Sequence, residues 1–547
     1  MSDYPEAVYP EEIRIEAELS GEGNGWTELD DVHVASGIQV DRGIGGTSQK
    51  DRVAQTGSLT FALDNSESNS QGLLGLYSQN NVNRLAGWGI GAGVRLIVRY
   101  NGVDEPVFYG RVDDIAPVSG KYRNRLVKVD CVDWMDEAAN AKVQGLSIML
   151  NSRSDEVFTS ILTAVEHQPI GVIAQIGGDT YAYALDNALE ELNVMSEFQR
   201  LAQSEQGYVY VRRDGYLIFE SRHKRPNVLS FGESFDDSDI DNVSPGRGRS
   251  SIVNRAEVQV HPRRVDAAAT AVLFSLASQP RIERQTSQVL KALYRDPDAR
   301  ATRVGGLNMI QPVITTDYTF NAAQDGSGVD ISGQLSVSAT YAGNSAEVTV
   351  LNNGPQDGYL TKLQCRGQGV YSYETVLVTA ENQDSKDLYG ERVFGLDMPY
   401  QSEVPTARDA AEFAVNQGKA ILTPVDAITF WANREHRLML AALQLDMSSK
   451  IHLEETVIGT DAIIPPGETL PVAALSFFVN GVSLSIGENG TIKCTLALAQ
   501  ADPFNYWILE RDGFTELGLT TRLAYGAFIA GWVLDDSVLG TGTRVNQ

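Results

Sequence analysis

The stretch GWGIGAGVRLIVRYNGVDEPVFYGRVDDI, residues 87–115, decides what kind of domain begins this chain. Its first six letters fit the G-x-G-x-x-[G/A] pattern of dinucleotide-binding loops, which must follow a strand and open a helix. Here the glycines precede a β-type run at residues 94–100, and the turn Asn101-Gly102 leads to a second run at 107–112. The glycine cluster is therefore predicted to be a turn in a β-domain and not a cofactor site.

Further β-type runs flank this stretch at residues 59–63 and 126–132, and Ser119-Gly120 marks another turn. Together these runs predict an N-terminal β-domain over residues 1–145. Because the chain has 547 residues, it is too long for a single hydrophobic core, and several domains are expected.

An α/β unit is predicted over residues 146–230. SRSDEVFTSILTAVEHQ and NALEELNVMSEFQRLAQSEQG space their apolar residues as amphipathic helices do, and Gly207 is the expected left-handed stop of the second. GYVYVRRDGYLIFESR then predicts a hairpin closed by Asp214-Gly215. We expect a type I′ turn there, with positive φ at both residues.

The remainder of the chain is mainly β in its pattern. ESFDDSDIDN, from Glu233, lacks a packing pattern and is interpreted as a linker or loop, whereas period-2 alternation between 318 and 399 predicts a β-sandwich. TARDAAEFAVNQGKAIL predicts a helix, and no pattern is evident at 265–315. The predicted fold class is mainly β and multidomain: a second β-domain at 231–275 plus 400–515, an inserted sandwich region at 276–399, and an extension at 516–547.

The net charge of −27, from 71 acidic and 44 basic residues, argues against affinity for nucleic acid or anionic membranes. A surface along which DNA moves without binding would also be acidic.

Cys131, Cys365 and Cys494 lie far apart and are predicted to be buried core residues. The N-terminus has no signal pattern, and no apolar run approaches about 18 residues. Synthesis and folding in a cytoplasm are therefore expected.

No catalytic, cofactor-binding or metal-binding set stands out. H-E-x-x-H, G-x-S-x-G and P-loop motifs are missing from the sequence. The acidic run 236–241 lacks the glycine and distal glutamate of a calcium loop and is interpreted as solvated. The six histidines are scattered along the sequence: His33, His167, His223, His261, His436 and His452. The arginines near residue 250 are interpreted as surface or interface charges: Arg247, Arg249, Arg263 and Arg264.

An ordered set of segments resembles the minor tail, or baseplate hub, proteins of long-tailed (siphovirus-like) bacteriophages. VASGIQVDRGIGGTSQKDRVAQTGSLTFALDN resembles their opening, and GAGVRLIVRYNGVDEPVFYGRVDDI resembles the next element. FQRLAQSEQGYVYVRRDGYLIFESR, LTKLQCRGQGVY and NYWILERDGFTELGLTTRLAY continue the resemblance in order. The matching positions are Arg42, Asp51, Arg52, Leu63, Asp64, Asn65, Phe108, Gly110, Val112, Asp113 and Asp114.

The resemblance implies a non-enzymatic, structural virion protein at the phage tail tip. Hubs of this kind are trimers whose two tube-like β-domains per chain form a pseudo-six-fold ring around the DNA channel used in DNA ejection. The implied partners are further copies of the chain, a distal tail or tail tube protein, the tape measure protein, and tail fibre or tip proteins. DNA would pass through the lumen without specific binding, and no membrane contact is implied. Asp113 and Asp114 are candidates for the lumen wall or, equally, for a contact with a neighbouring subunit.

Two other function classes remain open from the sequence. The sandwich could bind carbohydrate or a receptor on the host surface, since its aromatic side chains could stack on sugars. The same aromatic side chains are also normal in the core and at the edges of a sandwich. They are Tyr318, Phe320, Tyr341, Tyr359, Tyr371 and Tyr373. A cell-wall hydrolase fused to a hub is disfavoured, because no catalytic set is recognisable.

Overall fold

Most of the first seven strands carry alternating apolar and polar side chains, which turn one face of the sheet towards a core. The computed structural model describes residues 7–21, 23–45, 50–118, 125–143, 148–185, 192–228, 230–245, 252–419, 425–454 and 476–501, with short strands at 505–506 and 521–522. The seven strands are β1 (Glu12–Ala17), β2 (Thr27–Glu28), β3 (Ile38–Gly43), β4 (Ser58–Asp64), β5 (Gly93–Tyr100), β6 (Val103–Pro117) and β7 (Leu126–Val132).

All four β-type runs predicted in this region lie within these strands. Asn101 (φ 51°) and Gly102 (φ 76°) form the two-residue turn between β5 and β6, where Tyr100 pairs with Val103. No helix follows the glycines at 87–93. Trp88 is instead buried in the core, and its indole N–H donates to the Tyr77 carbonyl at 3.1 Å. The glycine cluster is therefore a turn, as predicted.

The α/β unit follows, and both of its predicted helices are present. Its elements are α1 (Trp134–Asn140), β8 (Lys142–Val143), β9 (Met149–Arg153), α2 (Ser154–Thr163), β10 (Gly171–Ala174), β11 (Thr180–Ala184), β12 (Leu192–Asn193), α3 (Val194–Glu205), β13 (Tyr208–Val211) and β14 (Tyr216–Glu220). Phe158 of α2 stacks between Phe198 and Phe219, which joins the two helices to the hairpin β13–β14.

The type I′ turn predicted in this unit is wrong, and Gly207 follows the cap of α3 as predicted but without the left-handed conformation. The left-handed residue at the end of α3 is Gln206 (φ 61°), while Gly207 lies where a Cβ would overlap the Glu220 carbonyl. The hairpin has a three-residue loop in which only Gly215 has positive φ (86°), so it is a type I turn with a glycine bulge. Tertiary contacts explain this loop, because Arg213 N–H donates to Asp446 Oδ2 at 2.8 Å.

The remaining strands belong to five sheets, and three helices lie among them. In chain order they are β15 (Glu233–Phe235), β16 (Ile240–Pro245), β17 (Arg255–Val260), β18 (Arg263–Val265), β19 (Ala271–Ser275), β20 (Arg281–Ile282), β21 (Ser287–Leu293), β22 (Gly305–Ile310), β23 (Tyr318–Asn321), β24 (Leu335–Tyr341), β25 (Ser345–Asn352), β26 (Gly358–Ser372), β27 (Val376–Glu381), α4 (Gln383–Tyr389), β28 (Val393–Met398), α5 (Val404–Gly418), β29 (Val425–Trp431), α6 (His436–Gln444), β30 (Lys450–Leu453), β31 (Ser476–Ile486), β32 (Ile492–Gln500), β33 (Asn505–Tyr506) and β34 (Thr521–Arg522). Among the described residues, no helix combines the length and apolar character needed to cross a bilayer.

One 13-stranded sheet combines strands from residues 12–132 with strands from residues 233–500. β3 pairs with β31 over six residues, from Ile38 opposite Ile486 to Gly43 opposite Gly481. The strand order is β16-β29-β32-β31-β3-β4-β7-β6-β5-β1-β2, with β15 and β30 attached beside β31. A single apolar core, which includes side chains of α6, underlies both halves. The two β-domains expected from the sequence are therefore two halves of one sheet.

Both ends of the segment interpreted as a linker or loop belong to this sheet, so that interpretation is wrong for β15 and β16 and holds only for the turn between them. β15 pairs with β30 and β16 pairs with β29. Phe235 is fully buried, with its ring centroid 5.1 Å from that of Phe430. Its contacts come from residues nearly 200 positions away, which a local pattern does not reveal.

The sandwich packs the three strands β21, β24 and β25 against six strands centred on β26, around one apolar core. Its strands span residues 263–372, whereas the sequence placed it at 276–399. β27 and β28 instead flank β17 in a separate three-stranded sheet covered by α5. Residues 252–275 and 404–418 consequently lie outside the second β-domain in which the sequence placed them.

Two smaller predictions can be compared with the described residues, and two others cannot. Cys131, Cys365 and Cys494 are free and buried, as predicted. The helix predicted near residue 410 is α5, but its last apolar position, Ile421, lies outside the described residues. The C-terminal extension, apart from β34, and the Ser119-Gly120 turn also lie outside them.

Candidate functional site

One face of the 13-stranded sheet carries polar side chains across the junction of its two halves. Residues directly opposite each other on antiparallel strands share a face. Strand register gives one row of Asn242, Thr429, Thr495, Ser483, Asp41 and Ser58. A second row contains Trp431, Lys493, Ser485, Gln39, Thr60, Asp130 and Asp114. We call these two rows, together with Lys128 beside Asp130, the polar face.

Side-chain hydrogen bonds connect neighbouring strands along the polar face. Gln39 Nε2 donates to Ser485 Oγ at 2.7 Å, directly across the β3–β31 junction. Ser483 donates to Asp41 on the same strand pair, and Thr60 Oγ1 donates to Asp130 Oδ1 at 2.6 Å. These bonds satisfy the polar groups locally and fix the face as a continuous hydrophilic surface.

The polar face carries more acidic than basic side chains. Asp41, Asp114 and Asp130 provide carboxylates, and both lysines are held by carboxylates. Lys128 Nζ lies 2.8 Å from Asp130 and Lys493 Nζ lies 3.3 Å from Asp241. A cation that is already paired attracts a passing anion less strongly.

Asp113 and Asp114 lie at a β-bulge in β6. Val112 pairs with Cys131 and Asp114 pairs with Asp130, so Asp113 is the extra residue between them. Both carboxylates are exposed. Of the two predicted wall residues, the register places Asp114 on the polar face.

A second polar cluster joins the sheet to the α/β unit. The Arg42 guanidinium lies 2.9 Å from Asp446 Oδ1, and Arg213 Nη1 lies 2.7 Å from Glu105. Arg52 donates to the Gln206 carbonyl at 2.7 Å. Arg42 and Arg52 are among the positions that carry the hub resemblance, and the structure gives them a joining role that local sequence does not reveal.

The other resemblance positions also have structural roles. Asn65 Nδ2 donates to Ser78 at 2.8 Å and its Oδ1 accepts from Tyr77 N–H at 2.8 Å, which shapes the loop after β4. Phe108 is fully buried, and a Cβ at Gly110 would overlap the Val132 carbonyl. Glycine is therefore required where β6 approaches β7.

The α/β unit contains a buried ionic cluster that the sequence did not indicate. Glu205 is fully buried and accepts hydrogen bonds from Ser154 Oγ and, at 2.9 Å, from Gly178 N–H. Arg222 pairs with Asp179, which also accepts from Gln401 at 2.5 Å. The members come from segments up to about 250 residues apart, so no local motif could have indicated them.

Burial changes the pKa of one carboxyl group near the junction. Asp133 caps α1 by accepting from Met135 N–H at 3.0 Å, and it is nearly inaccessible to solvent. Desolvation raises the pKa of Asp133 to about 6, against the opposing effect of backbone donors at Gly57 and Met135.

The acidic run 236–241 and the six histidines do not form a binding site among the described residues. Asp236 accepts from Ser238 and Asp239 N–H, and Asp239 pairs with Arg437 at 2.6 Å, so the acidic run forms a turn. Within the described ranges, no group of three or more His, Cys, Asp or Glu residues could hold a metal ion. The six histidines do not converge on one site.

The arginine and aromatic candidates belong mainly to the sandwich and its neighbours. Arg263 lies over the Tyr183 ring and Arg264 over the Tyr371 ring, each at 4.4 Å, whereas the sequence indicated no aromatic neighbours. Arg247 and Arg249 lie outside the described residues. Of the six aromatic residues considered for sugar stacking, Tyr318, Phe320 and Tyr371 are buried, Tyr341 and Tyr359 are half-buried, and Tyr373 is exposed.

Comparison with solved structures gives similar folds among tail proteins. The 43 kDa tail protein of prophage MuSo2 from Shewanella oneidensis has 10% identity and a TM-score of 0.44, with 90% of this chain and 98% of that chain covered. A tail protein from Neisseria meningitidis has 8% identity and a TM-score of 0.45, with 89% and 96% covered. A prophage tail protein from Listeria monocytogenes has 8% identity and a TM-score of 0.37, with 90% and 96% covered. No protein-family model and no curated protein sequence matches this chain.

Proposed function

We propose that this chain is a structural protein of a bacteriophage tail and, within the tail, a trimeric baseplate hub at the tail tip. The observation that carries the proposal is the pairing of β3 with β31, which joins two β-domains of one chain in a single sheet. The ordered sequence resemblance to hub proteins supports the same role. Three copies would place six β-domains around one axis.

Such a ring matches a hexameric tail tube on one side and three-fold tip components on the other. Its partners would be the distal tail or tail tube protein above, tail fibre or tip proteins below, and the tape measure protein. The hub is non-enzymatic in this proposal, because its role is to connect parts of different symmetry. It would be made in the host cytoplasm and would function in the virion.

The polar face supplies the channel wall in this proposal. Its carboxylates repel DNA phosphates, and its two lysines are already paired with Asp130 and Asp241. A wall of free lysines or arginines would bind the DNA backbone by releasing counterions. An acidic wall lets DNA pass during ejection without retaining it.

Labelling of assembled particles tests the location directly. A peptide tag fused to the C-terminus, detected with gold-labelled antibody in electron micrographs, is expected to mark the end of the tail distal to the capsid. Label on the capsid or along the length of the tail tube would contradict the hub proposal.

A further inference from the structure

Two edge strands in different sheets of this chain expose unusually apolar surfaces. Among the described strands, only β10 and β27 expose two successive large aliphatic side chains: Val172 (41% exposed) with Ile173 (40%), and Val376 (36%) with Leu377 (56%). Successive side chains on a strand point to opposite faces, so both faces of each edge are apolar. Each strand is also the outermost of a three-stranded sheet.

β10 lacks the charges that normally protect an edge strand. Residues 168–178 contain no Asp, Glu, Lys or Arg, in a chain with a net charge of −27. Ile170 and Ile176, on either side of β10, are exposed as well. Within the described part of the chain, β10 pairs only with β14, so its other side offers free backbone donors and acceptors. Natural proteins normally shield such edges, because they pair readily with another strand.

β27 offers a matching edge. Among the described strands it pairs with β17 alone, and α5 packs on one of its faces. Leu377 lies on the opposite, uncovered face, and the exposed Tyr373 precedes the strand. An extended, apolar neighbour would complete its hydrogen bonds and cover both side chains.

We propose that β10 of one copy pairs with β27 of the next copy, so that the two edges form the contact between subunits. This inference rests on the trimer of the proposed function. Because the two edges differ, the contact is heterologous, and a repeated heterologous contact closes into a ring when its rotation permits. Ile170, Ile176 and Tyr373 extend the apolar contact beyond the paired strands.

The test compares the mass of the full chain with that of two lysine variants, Ile173→Lys and Leu377→Lys. Each variant alone is expected to lose the trimer, because every contact in the ring then has one charged edge. An equimolar mixture is expected to give dimers containing one chain of each kind, since an intact β27 from the first variant can meet an intact β10 from the second. Val329→Lys, at an exposed site in the sandwich, is the matched control and should stay trimeric.

Each other outcome contradicts a defined part of the proposal. If either variant remains trimeric, this contact is wrong although the hub proposal stands. Loss of the trimer with Ile173→Lys alone indicates that β10 contacts a surface other than β27, and loss in both variants without mixed dimers also contradicts the pairing. A monomeric wild type contradicts the hub proposal itself. If a lysine variant melts below the wild type, Ile173→Asn or Leu377→Asn replaces it.

Discussion

Arg42 and Asp446 are separated by 404 positions in the sequence, yet Arg42 Nη1 lies 2.9 Å from Asp446 Oδ1 with both side chains buried. Arg42 lies in β3, at the junction of the two halves of the sheet. Asp446 also accepts from Arg213 N–H at 2.8 Å, at the tip of the β13–β14 hairpin. Asp446 therefore links the second β-domain to the first through an ion pair and to the α/β unit through a hydrogen bond.

Replacing Arg42 with alanine is expected to destabilise this junction by about 3 kcal/mol, because a buried carboxylate then loses its charged partner. Urea unfolding measures the change in the free energy of unfolding. The double variant Arg42→Ala with Asp446→Ala should lose less than the sum of the single variants. Strict additivity would show that the two side chains do not interact.

Gly215→Val is expected to destabilise the hairpin by more than about 1 kcal/mol, because valine resists positive φ. A Cβ at this position would also lie 2.6 Å from the Tyr109 ring. Gly102 is the matched control, since its φ is 76° and a Cβ added there would meet no atom within 4 Å. Thermal melting should therefore fall further for Gly215→Val than for Gly102→Val, and equal melting would argue against the contact with Tyr109.

Asp133→Asn is expected to change how stability depends on pH. The pKa of Asp133 is raised from 3.8 to about 6 in the folded chain, so folding favours the protonated carboxyl. Its contribution is fully present below about pH 4 and is lost as the pH rises through 6, by up to about 3 kcal/mol. Asparagine keeps an acceptor for the α1 cap without a charge. The free energy of unfolding should thus fall less between about pH 4 and 7 in the variant, and parallel pH profiles would contradict the shift.

Charge reversal on the polar face is expected to create DNA binding. The wild type should not retain double-stranded DNA in gel-shift assays, whereas Asp41→Lys combined with Asp130→Lys should bind it with an affinity that falls as salt rises. The matched control reverses two exposed carboxylates of α4, Asp384→Lys with Asp387→Lys, and so has the same net charge. Equal binding by both double variants would mean that net charge alone, and not the polar face, governs DNA retention.

Local patterns in the sequence predict much of this fold. The strands flanking the Asn101-Gly102 turn, the helices α2 and α3 and the buried cysteines follow from periodicity and turn residues, because neighbouring positions determine them. The Asp214-Gly215 hairpin is present, but its turn type depends on the contact of Arg213 with Asp446, which no local rule contains.

Strand pairing between distant segments could not be predicted in the same way. β15 resembles a loop in sequence, and its partner β30 follows about 215 positions later. β27 and β28 alternate as sandwich strands do, but they pair with β17. The polar face depends on the register of β3 against β31, so its residues become a site only once that pairing is known.

End-on electron microscopy of the purified, assembled chain distinguishes a trimeric hub from a ring of six identical chains and from isolated chains. A hub is expected to appear as a ring of three chains with a central opening. The first and second β-domains of each chain would alternate around the three-fold axis, so that six similar domains form the ring. A ring of six identical chains, or isolated single chains at high protein concentration, would refute the trimeric hub.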